Sequence, residues 1–145
     1  MLLPILLMIL AFLFSGAANK IQFTQTIIEW LVPVMTPQLM ALEIFIVLAI
    51  TEFITGTNWG LYIIALPIVV PLSQAIGGNT VLAVAAVLSA GVFGSHICFY
   101  SDATILSSSA AGCNNFDHAI TQLPYGLIAG SLSAICFLLS GFIFG

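Results

Sequence analysis

Hydrophobic residues run through almost the whole chain, so the informative positions are those where the pattern breaks. Residues 1–18 are nearly all apolar, with Pro4 in the first turn, where a proline is tolerated, and they read as a first membrane span. Ser15-Gly16-Ala17 resembles the end of a secretory leader, but a positive n-region is missing and apolar sequence continues, so a retained helix is expected. Residues 19–37 mix Lys20, Gln22, Thr24, Gln25, Thr26 and Glu29 with Ile21, Phe23, Ile27, Ile28, Trp30 and Leu31. That mixture suits an interfacial helix with Trp30 at headgroup level. Pro33 and Pro37 bracket a bend.

Residues 38–76 hold two apolar runs separated by Thr55-Gly56-Thr57-Asn58-Trp59-Gly60, and the second contains Pro67 and Pro71. No polar stretch here is long enough for a comfortable connection outside the membrane. The segment therefore reads either as two spans or as a re-entrant helical hairpin with the Thr-Gly-Thr-Asn turn at its tip. Gly77-Gly78-Asn79 is a breaker. Residues 80–93 are rich in Ala, Val and Leu, with Ser89, Ala90 and Gly91 allowing close helix approach. A polar region follows, through Gly94-Ser95-His96, Tyr100-Ser101-Asp102-Ala103-Thr104 and Ser107-Ser108-Ser109, to Gly112 and Asp117. Residues 118–144 form a last long span, interrupted by Pro124 and lined by Gly126, Gly130, Ser131 and Ser133. No linker or low-complexity tract divides residues 1–145, which read as one domain.

Composition turns this pattern into a membrane assignment. Hydrophobic residues make up 61% of the chain and charged residues 4%, with a mean hydropathy of +1.25. Soluble domains carry roughly 25% charged residues, so the expected class is an all-α membrane protein with lipid as its solvent. Lys20 is the one basic residue; the acids are Glu29, Glu43, Glu52, Asp102 and Asp117. Without a basic patch, nucleic acid is excluded as a partner, and one lysine leaves orientation undecided. Cys98, Cys113 and Cys136 show neither zinc spacing nor CxxC and read as small buried hydrophobes. No nucleophile elbow, HExxH or Walker pattern supports an enzyme, and neither a cofactor nor a resident metal is expected.

Ionisable groups at membrane depth cost roughly 2.5–3.5 kcal/mol each on insertion scales, so chains keep them where they face water, a partner or an ion. Asp102 sits among Ser101, Thr104, Ser107, Ser108 and Ser109, between apolar runs. A broken helix there gathers carboxylate, hydroxyl and carbonyl oxygens, which suit a hard cation such as sodium. A carboxylate that also takes a proton lets two cations compete. Ser-Asp before a hydrophobic turn reads equally as a helix N-cap. Thr55, Gly56, Thr57 and Asn58 supply a turn with neutral oxygens, either a second half-site between discontinuous helices or a plain polar loop. Glu52 lies one turn before Gly56 and can approach the same site, whereas Glu43 stands ~13 Å further along a straight helix. His96 follows a Gly-Ser break and titrates near neutrality when unperturbed, yet it reads as well as an ordinary hydrogen-bonded residue. Asp117-His118 reads as the polar start of the last span, with a pH-sensing role as its functional alternative.

Ser101-Asp102-Ala103-Thr104-Ile105-Leu106-Ser107-Ser108, then Gly112-Cys113, Asp117-His118 and Thr121-Gln122-Leu123-Pro124-Tyr125, resemble the C-terminal signature of NhaC-type sodium/proton antiporters. Thr55-Gly56-Thr57-Asn58-Trp59-Gly60 followed by Leu66-Pro67-Ile68 resembles another segment of that family. The resemblance covers residues 50–126. It implies sodium/proton exchange, with relatives that couple organic acids such as malate and lactate, in a fold of two inverted repeats. This chain would supply one repeat, with 38–76 as re-entrant hairpin, 79–112 as broken helix and 118–144 as closing span. Two positions depart from the family pattern: Ser95 stands where an aspartate is usual, and Ile97-Cys98-Phe99-Tyr100 lacks the proline usual before Ser-Asp.

The expectation is a half-size secondary transporter of the cell inner (plasma) membrane, multi-pass and without a cofactor. Ser101, Asp102 and Thr104 would hold the cation from the broken helix, and Thr55, Gly56, Thr57 and Asn58 from the hairpin tip. Glu52, His96, Asp117 and His118 are the proton-coupling candidates. Its expected partners are the bilayer, sodium, protons, and either a second copy or a separately encoded N-terminal half. A sodium- or proton-coupled organic-acid exchanger and a non-transporting membrane subunit or transporter fragment are the alternatives.

Overall fold

In the computed structural model of the chain, residues 35–56 and 58–144 are described, together with residue 20. The expected span at 1–18, the interfacial helix at 19–37 apart from 20 and 35–37, and Thr57 lie outside the described residues. The described residues form five α-helices and no strand: α1 Met40–Thr55, α2 Asn58–Ile76, α3 Thr80–Ile97, α4 Asp102–Ala111 and α5 Asn115–Phe144.

The polar interruptions set the helix ends. Gly56 closes α1 in the left-handed region, with φ 66°. Asn79 starts α3 by accepting from the backbone N–H groups of Val81 (3.0 Å) and Leu82 (3.1 Å), two donors that a helix cannot satisfy internally. Gly112, at φ 65°, ends α4, and Asn114 Oδ1 accepts from the Phe116 N–H (2.8 Å) to start α5. The last span thus begins at Asn115, three residues before the expected position, because Asn114 supplies the capping side chain. Pro124 falls inside this 30-residue helix without ending it, as Pro67 and Pro71 do in α2.

Among the described residues, three helices are long and apolar enough to cross a bilayer: α2, α3 and α5. The 16 residues of α1 reach about 24 Å at 1.5 Å per residue, short of the roughly 30 Å hydrocarbon core. Helix α3 is the hub, packed by α1, α2, α4 and α5. α1 and α2 make little contact with each other; each is seated on α3. Between them runs an apolar groove of about 420 Å³, from Glu43 and Leu72 at one end to Thr55 and Gly60 at the other.

In lipid, burying one apolar helix against another gains little, so helices are held by close backbone approach and dispersion. The hub is built for this: Ala83, Ala86, Val87 and Ala90 are fully buried. A Cβ on Gly94 would stand 2.5 Å from Glu52 Cβ, and one on Gly91 the same distance from the Tyr62 hydroxyl. Gly126 and Gly130 of α5 likewise admit Ile97 and Phe93, leaving 2.3 Å where a Cβ would sit. Phe45 of α1 lies against both Phe93 (5.9 Å between ring centres) and Phe137 (5.3 Å), tying α1, α3 and α5 into one core. The outward residues of α5, among them Leu127, Ile128, Leu132, Ile135 and Phe142, are exposed and suit contact with acyl chains.

Gly94→Val puts bulk into the α1–α3 contact, where the nearest atom is a Cβ that cannot swing aside. It should destabilise the bundle by about 1–3 kcal/mol, the usual range for overpacking, read as an earlier thermal transition in detergent.

Candidate functional site

The two chain breaks meet. Gly56 ends α1 with its N–H on the Glu52 carbonyl (2.7 Å), in a backbone conformation that glycine adopts without steric cost. A Cβ there would lie 3.1 Å from Cys98 Sγ and 3.2 Å from the Tyr100 ring. The Tyr100 hydroxyl in turn donates to the Ile54 carbonyl. The turn after α1 is therefore clasped against the segment 98–101, which separates α3 from α4.

That segment is stitched by its own side chains. Ser101 is the N-cap of α4, accepting from the Thr104 N–H (3.2 Å), and its hydroxyl donates to the Ser95 carbonyl. Thr104 Oγ1 donates to the Cys98 carbonyl (2.8 Å). Asn115 Nδ2 donates to the Phe99 carbonyl (2.7 Å), while its Oδ1 accepts from Ser108 Oγ (3.0 Å). The carbonyls of Ser95, Cys98 and Phe99, freed by the helix break, are thus partnered, as buried backbone groups require.

Beside this clasp lies a buried polar cluster. Glu52 and Ser95 are both 0% exposed. Thr55 Oγ1 stands 3.5 Å from Glu52 Oε2. The Asn58 amide lies within reach of Glu52, the Gly91 carbonyl and Ser95. With its nitrogen toward the first two, Nδ2 donates to Glu52 Oε1 (2.8 Å) and to Gly91 O (2.7 Å), and Oδ1 accepts from Ser95 Oγ (3.1 Å). The opposite orientation would set oxygen against oxygen at both short contacts, so the first is the physical one. Tyr62, whose hydroxyl donates to the Leu88 carbonyl (3.2 Å), and Asp102 both lie within electrostatic reach of Glu52. No ion pair to Glu52 occurs among the described residues. A buried carboxylate without a countercharge is costly and calls for a proton or a cation.

The structure brings together most of the residues singled out in the sequence, in unequal roles. Glu52, Thr55, Gly56 and Asn58 meet Ser95, Ser101 and Thr104 at the junction of the breaks. Asp102 is exposed in the first turn of α4, where its Oδ1 accepts from the Ala103 N–H (2.8 Å). Thr57 lies outside the described residues. His96 is elsewhere: it faces a cavity of about 540 Å³ between α3 and α5, shared with Gln122 and Tyr125, and its Nδ1 is 2.8 Å from the Val92 carbonyl. Asp117 and His118 stand in the first turn of α5, Asp117 exposed and His118 with a buried Nε2 that has no hydrogen-bond partner among the described residues. Gly91, expected to allow close helix approach, does so against Tyr62; sequence reasoning missed the parts played by Gly94, Tyr62, Tyr100 and Asn115. The three-residue spacing of Gly91 and Gly94 was the available signal, since it opens one side of α3 to side chains from α1 and α2.

The family model described as the Na+/H+ antiporter family matches residues 1–142. An uncharacterised protein of Haemophilus influenzae is 37% identical over 106 residues, covering 72% of this chain and 20% of that protein. A Malate-2H(+)/Na(+)-lactate antiporter of Bacillus subtilis is 29% identical over 109 residues, covering 75% of this chain and 23% of its own length. The chain thus spans about a fifth of the length of these curated relatives. No solved structure matches it.

Ser101→Ala removes the α4 cap and leaves the Thr104 N–H and the Ser95 carbonyl without this partner. The expected cost is about 1 kcal/mol, visible as faster amide hydrogen exchange at residues 102–105 with α1 protection unchanged.

Proposed function

The chain belongs to the Na+/H+ antiporter family, and from that membership we propose that it forms part of a sodium/proton antiporter in which the two cations compete for Glu52. The observation that carries this reading is the fully buried Glu52 carboxyl at the junction of two helix breaks, with hydroxyl and amide neighbours and no countercharge among the described residues. Intramembrane carboxyls mark ion and proton paths, and discontinuous helices meeting within a bundle are the usual frame of secondary-transporter sites.

The roles divide accordingly. Glu52 takes the proton or the sodium ion, and Thr55 adds a hydroxyl oxygen beside it. Ser101 and Thr104 spend their hydroxyls on the α4 cap and the broken segment, so they hold the site's wall. Asp102, exposed and within electrostatic reach of Glu52, draws cations toward the entrance. The α1–α2 pair acts as the re-entrant hairpin. A second copy or a separately encoded N-terminal half is proposed as the partner that completes the transporter. The inner membrane of the cell is its proposed location. Similarity to a malate/lactate antiporter favours a second reading, in which the same site couples cations to an organic acid.

Sodium-dependent proton flux in vesicles from cells carrying the chain tests the proposal. Glu52→Gln should abolish exchange, and exchange that survives it overturns the assignment. Asp102→Asn should raise the sodium concentration for half-maximal flux several-fold while sparing the maximal rate. Flux that requires added malate or lactate would select the second reading.

A further inference from the structure

Resting on the assignment of Glu52 as the exchange site, we propose that Asn58 is a positioning residue: its amide nitrogen fixes the Glu52 carboxyl against α3, and the Ser95 hydroxyl holds the amide in place. This differs from a role for Asn58 as an oxygen ligand of the cation.

The argument turns on which end of the amide faces Glu52. Two oxygens, Glu52 Oε1 and Gly91 O, lie 2.8 and 2.7 Å from the same terminus of Asn58. A backbone carbonyl never carries a proton, and it keeps a lone pair for a side-chain donor even within a helix. Protonating Glu52 would therefore relieve only one of the two oxygen–oxygen contacts if Oδ1 pointed that way. The Gly91 carbonyl thus fixes the amide orientation in both states of Glu52. Asn58 presents N–H to the carboxyl whether a proton or a sodium ion is bound there, and its own oxygen is turned away to Ser95.

Ser95 completes the arrangement. Its hydroxyl has one hydrogen and two acceptors within 3.1 Å, Asn58 Oδ1 and the Val92 carbonyl. The residue is fully buried, and Gly94 beside it lets the Glu52 stem lie directly on the backbone. Carboxyl, amide and hydroxyl are linked from α1 through α2 to α3, so each helix contributes one member of a single chain of hydrogen bonds.

Infrared spectroscopy on the full chain in lipid tests this. Subtracting the spectrum of the corresponding Glu52→Gln protein isolates the Glu52 carboxyl bands. Asn58→Ala should shift the C=O band of the protonated Glu52 carboxyl in sodium-free buffer, where a mere cation ligand would leave it unmoved. It should also raise the sodium concentration for half-saturation roughly tenfold, the size expected when a hydrogen bond to a charged group is lost. Ser95→Ala keeps Asn58 and should move both readouts in the same direction, by about threefold in half-saturation, as for a neutral hydrogen bond. It decides the matter alone if Asn58→Ala does not fold. Glu52 carboxyl bands unchanged in the folded variants overturn the proposal. Exchange that persists in Glu52→Gln overturns the transport assignment instead, and leaves the band shift as an independent result.

Discussion

Everything in this bundle depends on how closely α1 can lie on α3. At Gly94 the stem of Glu52 rests against bare backbone, with no room for a side chain between them. That one contact lets a carboxyl group be buried completely without opening a cavity, and it brings the end of α1 down to the break after α3. The clasp of Gly56 against Cys98 and Tyr100 follows from it, and so does the position of Asn58 at the start of α2. Because lipid supplies no strong drive for helices to associate, shape complementarity on this scale does the work that a hydrophobic core does in water.

The hub explains why the site is polar at its centre and apolar around it. Below the cluster, α3 presents Ala83, Ala86, Val87 and Ala90, and the Phe45–Phe93–Phe137 group seals one side. A fully buried carboxyl group interacts more strongly with whatever neutralises it than one in water, because the effective dielectric around it is lower. Asp102 is the contrasting case, exposed in the first turn of α4, where an acidic side chain suits the N-terminal end of the helix dipole.

Much of this was legible in the sequence because the breaks are chemically loud. Thr-Gly-Thr-Asn, Gly-Gly-Asn and Ser-Asp each interrupt a long apolar run, and helix ends fall at all three. Membrane character followed from the scarcity of charge. Ranking the acids was harder. Hydroxyls crowd around Asp102 in the sequence, but those of Ser101 and Thr104 turn inward to cap α4 and to serve carbonyls, a use that spacing alone does not distinguish from ligation. The burial of Glu52 could not be read from spacing because its partners are distant in sequence: Ser95 and the Gly91 carbonyl lie about forty residues on and become its neighbours only through α1–α3 packing. Asn115 was invisible for the same reason, since its role is to serve a carbonyl sixteen residues earlier.

The glycines of α5 carry a last implication. Gly126 and Gly130 have the spacing that commonly pairs membrane helices face to face, yet both are occupied from within, by Ile97 and Phe93. What α5 turns outward is therefore a corrugated surface of branched and aromatic side chains. Another protein helix laid there would be kept at arm's length, whereas fluid acyl chains can fill the corrugations. By its texture this side of the molecule is suited to lipid, and a protein neighbour would find closer quarters along the groove between α1 and α2.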